Sequence, residues 1–218
     1  MRPVNKGVSP NSYNKYNEAK DDLRDILGTY CSYCEMNISN QPDIEHVSPK
    51  SKNPELETDW NNLLLACKTC NVIKSNDNQD REGYIFPDTD NTAFAYIYSK
   101  TEVIVNPTLS KDEKELAIST YNLVNLNRKK DTKNRIDDRR FARLIEWDKA
   151  LDSLEDYVQC NTPEMKRQIG RSPSGFFSSW LEVFKAYPEI KEEILKNVKG
   201  SAIECYDENF NPINTLSR

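Results

Sequence analysis

Two cysteine pairs of identical form, Cys31-Ser-Tyr-Cys34 and Cys67-Lys-Thr-Cys70, set the tightest limit on how this chain can fold. Two residues between cysteines make a tight knuckle that points both sulfurs at one ion, and two such knuckles match a tetrahedral tetrathiolate zinc site. The segment between them must then fold back on itself, with the ion fastening the base of the loop. Structural zinc contributes roughly 10–16 kcal/mol of apparent binding energy to folding. Disulfides are a poor alternative in a reducing compartment, and a thioredoxin-like redox site needs only one such pair. Four thiolates leave no open coordination position, so this zinc is scaffold and not catalyst. Cys160 and Cys205 stand alone and read as buried thiols without a special role.

Charge narrows the partner classes. The chain has 35 acidic and 30 basic side chains in 218 residues, a net charge of −5. That disfavours a protein that coats phosphates unaided. It leaves room for a nuclease whose positive charge is local, or one brought to its substrate by a partner. The length predicts one domain or two small ones. No apolar run approaches the roughly 20 residues that cross a bilayer, and the first residues lack a signal peptide's apolar stretch. The expectation is a cytoplasmic protein with no membrane partner.

Along the chain, Tyr13, Tyr16, Ala19, Leu23 and Ile26 fall at helical spacing, and Gly28 ends that helix before the first cysteine pair. Residues 94–106 alternate on both sides of Lys100-Thr101 and predict a β-hairpin closed by Pro107. Ser110 with Glu113 is a capping-box pattern opening a helix. A longer helix is expected from near Asp131, with Ile136, Leu144, Trp147, Leu151, Leu154 and Val158 as its inward stripe. "SAIECYD" at 201–207 reads as a short closing strand. The expected fold class is α+β, with residues 1–107 as one domain (motif core 30–75) and 108–218 as a helical region for partner or nucleic-acid contact.

The zinc-fastened loop holds the only histidine of the chain, His46, in "DIEHVSPKS". "IEHV" suits a short strand with one charged face in a cleft, "LLLAC" a buried strand, and "CNVIK" a helix start. Asn71 and Lys74, three residues apart, then share a helix face. Taken singly, each residue has an ordinary explanation. Glu45 can be a solvated strand residue, Asn62 a turn residue, Asn71 a helix cap, Lys74 plain surface, and a lone histidine a satisfied core residue.

Together, an acidic residue and histidine on one strand, an asparagine before an apolar strand, and a ligand position at the next helix start resemble the HNH endonuclease motif. The bracketing cysteine pairs resemble its zinc-stapled branch. The resemblance covers residues 30–75 and implies a ββα-metal finger. It also implies His46 as general base, Glu45 and Asn71 as ligands of a catalytic Mg²⁺ or Mn²⁺, and Asn62 as the central asparagine that holds the loop. Asn61 competes for that last place. Asn71 stands where many members have histidine, and its amide oxygen suits a hard cation. The chemistry is coherent without the family: phosphodiester hydrolysis needs a base for water and a cation on the phosphoryl oxygens. Histidine near its ordinary pKa is such a base, and Lys74 is within reach of a phosphate oxygen.

The start "MRPV", the phrase "NLVNLN" at 122–127 and "KGSAIECYD" at 199–207 resemble a narrower group, the HNH subunits of Septu-type anti-phage systems and their relatives in certain retrons. That resemblance implies an ABC/SMC-like ATPase partner, or a retron reverse transcriptase with its RNA–DNA hybrid. The strongest basic run, "NRKKDTKNRIDDRRFARL", offers Arg128, Lys129, Lys130, Arg139 and Arg140 as contacts for nucleic acid or a partner, against the plain alternative of a solvated helix face. Without catalysis, the same residues would describe a zinc-stapled adaptor that binds nucleic acid or protein.

Overall fold

A computed structural model describes all residues, 1–218. Its elements are α1 (Lys20–Leu27), β1 (Asp43–His46), β2 (Leu63–Ala66), α2 (Lys68–Lys74), α3 (Thr92–Ala95), β3 (Tyr96–Tyr98), β4 (Val103–Val105), α4 (Lys111–Leu123), α5 (Asp138–Gln159), α6 (Pro163–Arg171), α7 (Phe177–Val183) and α8 (Pro188–Asn197). The class is α+β, with two separate two-stranded antiparallel sheets. Strand β1 pairs β2 in a register that sets His46 opposite Leu63 and Glu45 opposite Leu64. Strands β3 and β4 form the hairpin, with Ile97 opposite Ile104. No helix is long and apolar enough to cross a membrane.

The four residues of β2 are all buried, so this strand is the spine of the larger core. That core gathers Leu23 and Leu27 of α1, the cysteine knuckles, the hairpin tyrosines and the inner face of α4. A smaller core of Tyr157, Ile169, Phe177, Trp180, Phe184, Ile190 and Ile194 joins α5 to the three helices after it. The two are stitched at Glu35, which follows Cys34 with a positive φ of 67°. Its carbonyl accepts from Phe176 N at 3.0 Å and its carboxylate from Ser178 N at 2.8 Å. Gly175 makes that approach possible, because a Cβ there would lie 2.7 Å from the Glu35 carbonyl oxygen.

Several local expectations hold. Ser110 and Glu113 form the reciprocal capping box at the start of α4. Three expectations are corrected. Helix α5 begins at Asp138, not near Asp131, because Asp131 accepts from the backbone N–H groups of Lys133 and Arg135 and closes a turn of its own. Asp137 is the residue that caps α5. The segment 201–207 is a single 3-10 turn, Ile203–Cys205, and not a strand. Cys205 is buried as expected, but Cys160 is exposed at the end of α5.

The inward face of α5 is only partly the expected one: Trp147 packs against the larger core and Leu154 against the smaller, but other members of the stripe do not. Ile136, which precedes the helix, is 44% exposed, and Leu151 and Val158 are 37% and 64% exposed. The residues turned inward are Arg139, Arg143, Glu146, Ala150 and Tyr157. Those positions are spaced by three, four and seven, so they share one helix face. Most of that face is charged, and its partners explain why.

Candidate active site and metal centre

The sulfurs of Cys31, Cys34, Cys67 and Cys70 all lie within 4.8 Å of one another and are buried. Helix α2 starts on the second knuckle: Cys67 is its N-cap, with Cys70 N donating to Cys67 Sγ at 3.3 Å. The surroundings test whether a zinc tetrathiolate fits. Such a centre carries a net double negative charge, which is costly in a dry interior unless it is offset. Helix α5 supplies the offset. Arg139 donates from Nη1 to Cys70 Sγ at 3.3 Å, while Asp137 and the carbonyls of Val124 and Asn125 hold the rest of its guanidinium. Arg143, one turn on, is 2% exposed and has no partner for Nε or Nη2. Burial lowers its pKa, and Tyr98 and the Cys34 sulfur act in the opposite direction. Four neutral thiols would leave that guanidinium uncompensated, whereas thiolates around Zn²⁺ supply the missing negative charge. The residues present fit the metal.

Arg139 is therefore corrected from a surface contact to a buried support of the cysteine cluster. Arg140 is half-buried and donates to the carbonyl of Thr101. Arg128 is also partly covered and lies 3.6 Å from Asp137. Lys129 and Lys130 remain exposed.

In the finger itself, the strand separates two neighbours that the sequence reading had placed on one charged face. Successive side chains of a β-strand point to opposite faces. Glu45 turns inward, 2% exposed, and pairs with Lys74 Nζ at 2.6 Å. Burial pushes the Glu45 carboxyl up to about 7 against the pull of Lys74. Lys74 is fully buried, and its ammonium also donates to the His46 carbonyl at 2.9 Å. It is thus corrected from a phosphate contact to the internal counter-ion of Glu45. Asp43 shares the Glu45 side of the strand, two residues away, but is partly exposed. Asn71 Nδ2 donates to Asp43 Oδ2 at 2.9 Å, and Lys68 lies 3.7 Å from the same oxygen. Carboxylate and amide oxygens at a partly open surface are the donor set of a hard divalent cation. As placed they do not converge on one: Asn71 turns its amide nitrogen to Asp43, so a cation would require the amide to turn its oxygen there, and Glu45 would join only by giving up Lys74.

His46 occupies the other side of β1, half-buried. Its Nε2 lies 2.9 Å from the Glu57 carbonyl. A carbonyl oxygen only accepts, so Nε2 carries the hydrogen and Nδ1 keeps the lone pair. Burial lowers the His46 pKa; the bond to Glu57 opposes this, and nearby Lys50 adds to the lowering. The ring is consequently neutral at neutral pH, the form a general base needs. Tyr16 packs edge-on against it with centroids 4.9 Å apart, and Lys50 Nζ lies 4.1 Å over the Tyr16 ring. Lys50 also pairs with the Glu57 carboxylate at 2.9 Å.

Asn62 ties down the loop that carries Glu57. Its Oδ1 accepts from Ser48 N at 2.7 Å, and its Nδ2 donates to the carbonyls of Ser48 at 2.9 Å and Leu56 at 3.2 Å. Asn61 is exposed and makes no such bridge. Asp43 was missed in the sequence although its signal was present, two positions before Glu45 on one strand face. Tyr16 and the Glu57 carbonyl had no signal, since they reach His46 only through the folded loop and the N-terminal segment.

Comparison with known proteins picks out the segment that carries these residues. Residues 31–77 match the HNH endonuclease family. The chain is similar to the Septu protein PtuB of Bacillus thuringiensis, 25% identical over 146 residues, covering 63% of this chain and 49% of that protein. It thus spans about half the length of the curated relative it matches.

Proposed function

Starting from the HNH endonuclease segment at residues 31–77, we propose that this protein is a metal-dependent endonuclease that hydrolyses phosphodiester bonds of nucleic acid. The observation that carries the reading is the contact of His46 Nε2 with the Glu57 carbonyl at 2.9 Å. With Nε2–H given to the Glu57 carbonyl, Nδ1 is free to take a proton from the attacking water. Asn62 acts at one remove, holding the 48–57 loop so that the carbonyl stays in place. Asn71 with Asp43, and Glu45 once released from Lys74, would hold Mg²⁺ or Mn²⁺; these side chains lie across β1 from His46, so the proposed reaction requires the finger to rearrange when metal and substrate bind. When bound, that cation supplies charge stabilisation at the phosphoryl and leaving oxygens. The cysteine centre takes Zn²⁺ and keeps the finger folded; the expected product ends are a 5′ phosphate and a 3′ hydroxyl.

Similarity to a Septu protein supports a role as the nuclease of an anti-phage defence system working beside an ABC/SMC-like ATPase. A nuclease with net charge −5 gains from such delivery, because its acidic side chains outnumber its basic ones, 35 to 30. The test is made in cells. The chain is expressed with its genomic neighbours, challenged with phage, and compared with His46→Ala while DNA and RNA ends are sequenced. Loss of protection and of new ends in the variant is expected. Equal protection with identical ends would leave the zinc-stapled adaptor as the better description.

A further inference from the structure

We infer that Tyr16 and Lys50 are positioning residues for the His46 base, so that a segment outside the matched residues 31–77 completes the HNH finger. The inference rests on the nuclease reading and adds to it two residues that act through the imidazole.

One hydrogen bond fixes an imidazole at one point only. The bond from His46 Nε2 to the Glu57 carbonyl leaves the ring free to pivot, and the acceptor itself lies on a loop, directly after the 3-10 turn Pro54–Leu56. Both freedoms are closed by side chains from outside β1. The Tyr16 ring meets the imidazole edge-on, with 67° between the planes, and blocks one side of the pivot. Lys50 reaches seven residues along the chain to the Glu57 carboxylate, and it also lies over the face of Tyr16. His46, Glu57, Lys50 and Tyr16 thus form a closed circuit, each touching the next.

Tyr16 is itself anchored. It opens the 3-10 turn Tyr16–Ala19, whose start is held by the Glu18 carboxylate, accepting from Asn14 N and Lys15 N. Three residues earlier, Tyr13 stacks on the buried Trp60 with centroids 6.1 Å apart. The Lys50–Glu57 pair, by contrast, adds little to stability, because its side chains are 43% and 44% exposed and an ion pair open to water is weak. Its place is what gives it an effect: it holds both the acceptor of the base and the aromatic wall beside it. Misplacing a reacting group by about 1 Å costs up to about 10²-fold in rate.

His46 is the only histidine, so in the full zinc-loaded chain with isotope-labelled histidine its imidazole gives one unambiguous set of magnetic-resonance signals. Cleavage is read on plasmid DNA and transfer RNA with Mg²⁺, using each chain purified with the products of its genomic neighbours. Wild type should show an Nε2–H proton protected from exchange with water and close to the Tyr16 ring protons. Lys50→Met should speed that exchange roughly tenfold and lower kcat about 10–100-fold at unchanged KM. Its unfolding midpoint should stay within about 4 °C of wild type. Tyr16→Ala should act alike on exchange and kcat, and Tyr16→Phe, which keeps the ring, should recover both. Lys196→Met, which breaks a comparably exposed pair with Glu192 on α8, should move neither. A wild type without a protected Nε2–H overturns the proposal, as does unchanged exchange in Lys50→Met and Tyr16→Ala. A loss that falls on KM alone also overturns it, by making Lys50 a phosphate contact. If wild type cuts neither substrate but the exchange rates respond as expected, the nuclease reading falls and the brace on the imidazole stands.

Discussion

Strand β1 and helix α5 both turn charged side chains away from water, and they were unequally legible. In β1 the buried charge is local. Glu45 meets Lys74, which the adjoining strand and helix bring back onto it. In α5 the partner is remote: Arg139 reaches Cys70, 69 residues earlier, and Arg143 is buried on the same helix face. A charged stripe can form the inside of a helix when what it packs against carries the opposite charge. Hydrophobic periodicity then marks only part of the inner face: Trp147 and Leu154 pack against the cores, while Leu151 and Val158 point outward.

The comparison can be broken at the metal. Cys67→Ser removes one of four ligands and a helix cap at once, so zinc content should fall from stoichiometric toward zero. With roughly 10–16 kcal/mol of metal-linked folding energy at stake, the cooperative unfolding transition should vanish. Elemental analysis and circular dichroism read both; a folded, zinc-free variant would refute the scaffold role.

Smaller effects separate the two buried charges. Lys74→Met leaves Glu45 alone in the core and should cost about 3–5 kcal/mol in denaturant unfolding. Arg139→Ala should cost a similar amount, about 3–5 kcal/mol, and also speed zinc transfer to a chelator. Its neighbour Arg140→Ala should change stability by no more than about 1 kcal/mol and leave zinc transfer alone. Equal behaviour of the two arginine variants would undo the assignment of α5's inner face.

Glu45 adds a pH dependence. Its carboxyl is raised to about 7 in the folded chain, so between its unfolded value and about 7 the folded state holds a proton the unfolded state has released. Stability through this group therefore falls as pH rises across that window, by at most about 1.4 kcal/mol per unit, and is level above it. Urea titrations of wild type and Glu45→Gln without added divalent metal should differ by that slope. The smallest effect belongs to the outer face of α5: Val158→Asp, at a position 64% exposed, should stay within about 0.5 kcal/mol of wild type.

His46 stood out as the one histidine of the chain, and Asn62 through the resemblance of the motif to the HNH family. Residue spacing alone determined the cysteine cluster, the β1–β2–α2 order, the hairpin and the capping box of α4. Each of these depends on neighbours within a few residues or on a ligand set that one ion must gather. Only the tertiary structure decided that Glu45 and His46 face opposite ways, that Lys74 answers Glu45, and that α5 faces inward with its arginines. Those outcomes rest on strand geometry and on electrostatic pairing between side chains that only folding brings together, and burial gives such pairing its strength without leaving a local period to read.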